Sequence, residues 1–115
     1  LDKAKAADMG TIIIRALAGG ALSGTTDRHP LAMRDVPPIG SALDFATDVA
    51  RAKLLEPLVR EAGATSLTEL GERFVISHPA VSTMLIGYST LGHLDEAIAA
   101  VNKGPLPEAV LKRIV

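Results

Sequence analysis

Apolar and β-branched residues gather in two short segments of the chain, residues 11–17 (TIIIRAL) and 81–86 (VSTMLI). The first segment shows no polar alternation before Arg15, which is typical of a strand covered on both faces in a parallel sheet. The second is equally short and is followed by Gly87. We therefore predict two strands, with Arg15 near the end of the first.

Elsewhere, apolar residues recur at the spacing of three and four positions that is typical of amphipathic helices. Five helices are predicted: the tail of one over residues 2–9, one over 41–63, one beginning at Ser66, one after Gly87 and a last one from Pro107. Their predicted apolar faces are Phe45, Val49, Ala52, Leu55 and Val59; Leu67, Leu70 and Phe74; Leu94, Ile98 and Val101; and Val110, Leu111 and Ile114.

Two of these helices carry boundary signals of their own. Pro57 lacks a backbone N–H, so the helix over 41–63 must kink or restart near residues 54–56. Ser66 followed by Glu69 has the spacing of a capping box, in which each side chain bonds the other residue's backbone N–H. This pair predicts a well-defined helix start at Ser66.

Strands that alternate with helices imply parallel pairing and an α/β fold. Two strands alone cannot make a covered parallel sheet, so we expect further strands to come from other chains or from a longer parent chain. The Gly- and Pro-rich segment 18–40 has no sustained periodicity and is predicted to be a long functional loop.

Composition excludes several classes of function. Aromatic residues make up 3% of the 115 residues and the net charge is −1, so the chain lacks the stacking rings and basic patches of nucleic-acid-binding proteins. No apolar run approaches the roughly 20 residues that span a bilayer, and nothing indicates an anionic membrane as partner. The chain has no cysteine, which fits a reducing, cytoplasmic location.

Each predicted strand leads to glycine, the first to Gly19 and Gly20 and the second to Gly87. If the strands are parallel neighbours, both loops leave the carboxyl end of the sheet, where α/β folds bind ligands. These glycines either form tight turns or let the backbone approach a phosphate. Arg15 either pairs with an acid outside this chain or binds phosphate.

The remaining polar residues support no hydrolytic or metal site. His29, His78 and His93 are too far apart for a local metal motif, and the serines lack a GxSxG context. His93 and Glu96 share one face of a predicted helix, where they either contact a ligand or form a solvated surface pair.

Two segments resemble the aldo-keto reductases: IIIRALAGGALSG and ELGERFVISHPAVSTMLIGYSTLGHLDEAIAAV, of which SHPAV followed by IG is the most specific part. The resemblance runs from Gly10 to about Leu111. It implies the carboxyl-terminal segment of a (β/α)8 TIM barrel, with the two predicted strands as the seventh and eighth. It also implies an oxidoreductase that uses NADP, or less often NAD, to reduce an aldehyde or ketone.

Carried over by position, the resemblance implies contacts to the pyrophosphate and nicotinamide from Arg15, Leu17, Ala18, Gly19 and Gly20. It implies contacts to the adenosine and its 2′-phosphate from Gly87, Tyr88, Ser89, Thr90, His93 and Glu96. The chain departs from the family at Arg15, where many members have Ser, at Ser89, where many have Arg or Lys, and at Ala97, where many have Asn. The absent cation at Ser89 weakens the expectation of NADP over NAD.

The resemblance also implies that the family's catalytic tetrad of Asp, Tyr, Lys and His lies in the first half of the barrel, which no residue of this chain matches. We therefore expect no catalysis by this chain alone. Two other hypotheses stay open. The chain could be a helical interaction module that buries its strand edges by self-association, or a non-catalytic nucleotide-binding subunit.

Overall fold

The computed structural model describes all 115 residues and contains six α-helices, one 3₁₀ helix and two strands. In chain order these are α1 (Asp2–Ala6), β1 (Ile12–Ile13), the 3₁₀ helix (Ala18–Ser23), α2 (Phe45–Lys53), α3 (Glu56–Glu61), α4 (Leu67–Ile76), β2 (Thr83–Met84), α5 (Leu91–Asn102) and α6 (Glu108–Ile114). None of the helices is long and apolar enough to cross a membrane.

β1 and β2 pair in parallel, with Ile12 opposite Thr83 and Ile13 opposite Met84. The predicted parallel pairing is confirmed, and a mostly helical chain with two parallel strands is consistent with part of a (β/α)8 barrel. The strands are shorter than predicted, however, and the first is not covered within this chain. Ile12 and Ile14 are each 63% exposed because no further strand or helix of this chain covers them.

Helix boundaries follow local side-chain chemistry closely. α2 ends at Lys53 and α3 begins at Glu56, which confirms the break expected from Pro57. Ser66 accepts a hydrogen bond from the Glu69 backbone N–H, but the Glu69 carboxylate bonds Thr65 rather than Ser66. One half of the predicted capping box is therefore present, and the other half is displaced by one residue.

The hydrophobic core lies between α3, α4 and α6. Its buried side chains are Leu58, Ala62, Leu67, Leu70, Leu106 and Val110. Two predicted apolar faces differ from those observed. Phe74 is 37% exposed, and α5 buries Ala97 and Ala100 while Ile98 and Val101 stay largely exposed. Small side chains suit the buried face of α5 because this helix packs directly on α4.

The segment 18–40 contains no α-helix or strand, but it opens with the 3₁₀ helix, which packs on α2 and α4. A β-carbon at Gly71 of α4 would lie 2.8 Å from the end of the Leu22 side chain, so a larger residue here would have to displace that side chain. At the far end of the segment, the Asp48 carboxylate accepts hydrogen bonds from the backbone N–H groups of Ile39, Gly40 and Ser41. These bonds attach the segment to α2, and hydrogen bonding from Ser41, followed by Gly40, holds the pKa of Asp48 below its ordinary value.

Candidate functional site

A cavity of about 820 Å³ opens where the two strands end. The loop wall consists of the residues from Arg15 through the 3₁₀ helix and the loop after it, and the helical wall consists of α4, the segment after β2 and the start of α5. Cavities of about 300–1,000 Å³ are typical of small-molecule and cofactor sites. The parallel pairing explains the location, because both strands deliver their carboxyl ends to the same edge.

Most of the residues predicted as cofactor-binding line this cavity. They are Arg15, Leu17, Gly19, Gly20, Gly87, Tyr88, Ser89, His93 and Glu96. The two that do not line it are Ala18, which borders a smaller cavity beside α2, and Thr90. Thr90 instead accepts a hydrogen bond from the His93 backbone N–H and so caps α5.

The glycines after β1 have backbone conformations that other residues rarely adopt. Gly19 has φ +68° and Gly20 has φ +102°. A β-carbon at Gly20 would lie 3.1 Å from an Arg28 guanidinium nitrogen, and the Gly19 carbonyl accepts a hydrogen bond of 3.0 Å from Arg28. The positive φ values of the turn therefore favour glycine at both positions, and Arg28 approaches Gly20 closely.

Two guanidinium groups line the loop wall of the cavity. Arg15 lies beyond the end of β1, in the left-handed region at φ 58°, and its exposed side chain forms no ion pair within the chain. Arg28 is held by hydrogen bonds to the carbonyls of Met33 and Gly19 and lies 5.0 Å from the centre of the Phe45 ring. The cavity therefore has one free and one fixed positive charge on the same wall.

The start of α5 forms part of the opposite wall. The Ser89 backbone N–H donates to Nδ1 of His93 over 3.3 Å, which orients the imidazole. The His93 ring also packs edge-on against His29 of the loop, with ring centres 6.4 Å apart. His93 and Glu96 form no ion pair with each other, so the surface-pair interpretation finds no support in their geometry.

Comparison with known protein families gives a match that covers the whole chain. The model of the aldo/keto reductase family matches residues 1–115. The chain belongs to the aldo/keto reductase family. Membership implies a parent of the oxidoreductase class, in a family that typically uses nicotinamide cofactors. No curated protein matches the chain significantly.

Three charged residues of this aldo/keto reductase chain, Asp27, Arg28 and Glu72, line the cavity without having been predicted from the sequence. Arg28 lies in TTDRHP, inside a segment with no periodicity, and only its contact with Gly19 brings it to the site. Glu72 lies off the predicted apolar face of α4, yet the residue is only 2% exposed. A glutamate beside Gly71 in a helix of apolar character is the one local signal that could have drawn attention to it.

Proposed function

We propose that this chain holds the nicotinamide dinucleotide of an oxidoreductase that reduces an aldehyde or ketone, and that its two strands are the last two of a (β/α)8 barrel. One observation carries the proposal: both strand-end segments converge on a single cavity of about 820 Å³ that has bare glycine backbone and two guanidinium groups on one wall. A dinucleotide pyrophosphate needs close backbone approach and compensating positive charge.

Each wall then has a separate role in binding. Arg15 and Arg28 neutralise the pyrophosphate, and Gly19 and Gly20 let it pass against the backbone. The segment from Gly87 to Glu96 binds the adenosine half. When bound, the dinucleotide supplies the hydride, and the protein's part is to orient it and to exclude water.

The chain contributes binding without chemistry in this proposal. Its single phenol, Tyr88, belongs to the adenosine side of the cavity and is 55% exposed, so it does not serve as the proton donor to a carbonyl oxygen. Proton transfer to the substrate is assigned to residues that this chain lacks.

Titration with NADH and NADPH, followed by nicotinamide fluorescence, tests the proposal. We expect binding with Kd of about 10–100 µM. Arg15→Ala should weaken it by about 1–3 kcal/mol, because the group that faces the pyrophosphate is lost. The matched control is Arg60→Ala, which removes an exposed guanidinium on α3 away from the cavity. A chain that binds neither NADH nor NADPH would contradict the proposal.

A second candidate function, self-association, is favoured by the apolar surface around the strands. Ile12 and Ile14 are 63% exposed, Leu85 is 56% exposed, and both strands are edges of the sheet. Sedimentation velocity over a range of concentrations tests it. A reversible shift from the 12.0 kDa species to a larger one would support self-association, and a single 12.0 kDa species throughout would rule it out.

A further inference from the structure

Glu72 is a buried glutamate in the cavity wall that has no partner of its own. The residue is 2% exposed, and its carboxylate is in no hydrogen bond or ion pair of the chain. Every buried side-chain oxygen or nitrogen that is sealed from solvent does have a partner. The carboxylate oxygens of Glu72 therefore retain their opening to the cavity that the residue lines.

The surroundings of Glu72 do not compensate its charge. Burial, followed by the nearby carboxylates of Glu69 and Glu96, raises its pKa above the ordinary value for glutamate. Glu69 is itself already paired with Lys103 and Arg73, so neither of those cations is free for Glu72. A buried carboxylate without donors costs stability, and that cost falls when a ligand supplies hydrogen-bond donors.

Positive charge is confined to one wall of the cavity. Arg15 and Arg28 lie on the loop wall together with the exposed Asp27, whereas Glu72 and Glu96 lie on the helical wall. On the helical wall Ser89 contributes a hydroxyl and no lysine or arginine is present. A second phosphate group placed against this wall would meet two carboxylates and no cation.

We propose that Glu72 makes the cavity selective for a dinucleotide without a 2′-phosphate, that is, for NAD(H) over NADP(H). The carboxylate accepts hydrogen bonds from the hydroxyl groups of the adenosine ribose and repels a phosphate at the 2′ position. This selectivity rests on the proposed dinucleotide function and adds to it a residue that determines which cofactor is taken. Glu96, more exposed on α5, adds a weaker repulsion of the same sign.

The test compares the Kd values of NADH and NADPH for the unmodified chain, for Glu72→Gln and for Glu56→Gln. Glu56 is an exposed glutamate on α3 outside the cavity, and its replacement is the matched control. We expect the unmodified chain to bind NADH about tenfold more tightly than NADPH. Glu72→Gln should remove most of that preference, mainly by tightening NADPH, and Glu56→Gln should leave it unchanged.

Glu96→Gln is the second variant, and it should shift the preference in the same direction by a smaller factor. Thermal unfolding of each variant shows that the change in Kd comes from a folded chain. An unchanged NADH to NADPH ratio in Glu72→Gln would overturn the assignment of Glu72 while leaving dinucleotide binding intact. An unmodified chain that binds neither dinucleotide would overturn the proposed function and this selectivity together.

Discussion

Glu69 and Glu72 lie three residues apart on α4 and are both buried, but they belong to two different regions of the molecule. Burial alone would raise the pKa of Glu69, but hydrogen bonds from Lys103, Thr65 and Arg73 outweigh it and lower the pKa to about 2. Glu72 has no such donors, and its pKa is raised. The side of α4 that faces α3 and α6 is therefore complete within this chain, whereas the side that faces the cavity has an acceptor without a donor.

Apolar residues show the same contrast. Leu70, on the side of the core, is 1% exposed, whereas Ile14, beyond β1, is 63% exposed. Burial of a large aliphatic side chain stabilises a protein by about 1.5–3 kcal/mol. Because the side chains of the strands are mostly exposed, they contribute little of this stabilisation within the chain. The helical region therefore holds most of the buried apolar side chains, and the strand region leaves several of its apolar side chains exposed.

Replacing Arg73 should have the largest effect, because this side chain joins three parts of the helical region. It donates to the carbonyls of Ala62, Gly104 and Pro105 and pairs with Glu69. Arg73→Met leaves these acceptors unpaired and should lower the free energy of unfolding by about 3–5 kcal/mol in urea denaturation. Arg60→Met, an exposed change on α3, should stay within about 0.5 kcal/mol. Equal losses of stability in the two variants would mean that the bonds of Arg73 do not stabilise the helical region.

A pair of aliphatic truncations should give the next largest effect. Leu70→Ala should cost about 2–5 kcal/mol because it opens a cavity in a closed core. Ile14→Ala should cost no more than about 0.5 kcal/mol, because its side chain is mostly solvated already. Urea denaturation at several protein concentrations measures both. A large, concentration-dependent loss for Ile14→Ala would show that the strands are covered by a second copy of the chain.

The smallest expected effect is an increase in the free energy of unfolding, whereas the two changes above lower it. A carboxyl group with a raised pKa favours the folded state at low pH and loses that contribution as the pH rises through its folded value. Glu72→Gln should therefore raise the free energy of unfolding at pH 7 by about 0.5–1 kcal/mol. The gain should vanish below pH 4.5, the ordinary pKa of glutamate, because Glu72 is then protonated in the folded and the unfolded state alike. Glu69, with a pKa of about 2, is still ionised at that pH. Thermal unfolding at pH 7 and pH 4 measures the difference, and a destabilised variant at pH 7 would contradict it.

Local features of the chain were predictable because their causes lie within a few residues. Pro57 separates α2 from α3 through its missing N–H, and Ser66 begins α4 by bonding the Glu69 backbone. The parallel pairing followed from strands that alternate with helices. The convergence of both strand-end glycine segments was predictable from that pairing alone.

Burial was much less predictable. A helical period identifies an apolar stripe, but it does not say which stripe a neighbouring helix covers. In α5 the neighbour α4 covers Ala97 and Ala100, because close helix contact favours small side chains. Thr11–Leu17 has the composition of a covered strand, yet this chain provides nothing to cover Ile12 or Ile14.

The sequence by itself determined the helix boundaries, the parallel α/β arrangement and the membership of the aldo/keto reductase family, because caps, breaks and periodicity act over short stretches of chain. Only the tertiary structure decided which charges face the cavity. Arg28 reaches it through a contact nine residues back along the chain, and Glu72 faces it because α5 and the 3₁₀ helix close over one side of α4. Such placements depend on the packing of distant segments, which no local pattern encodes.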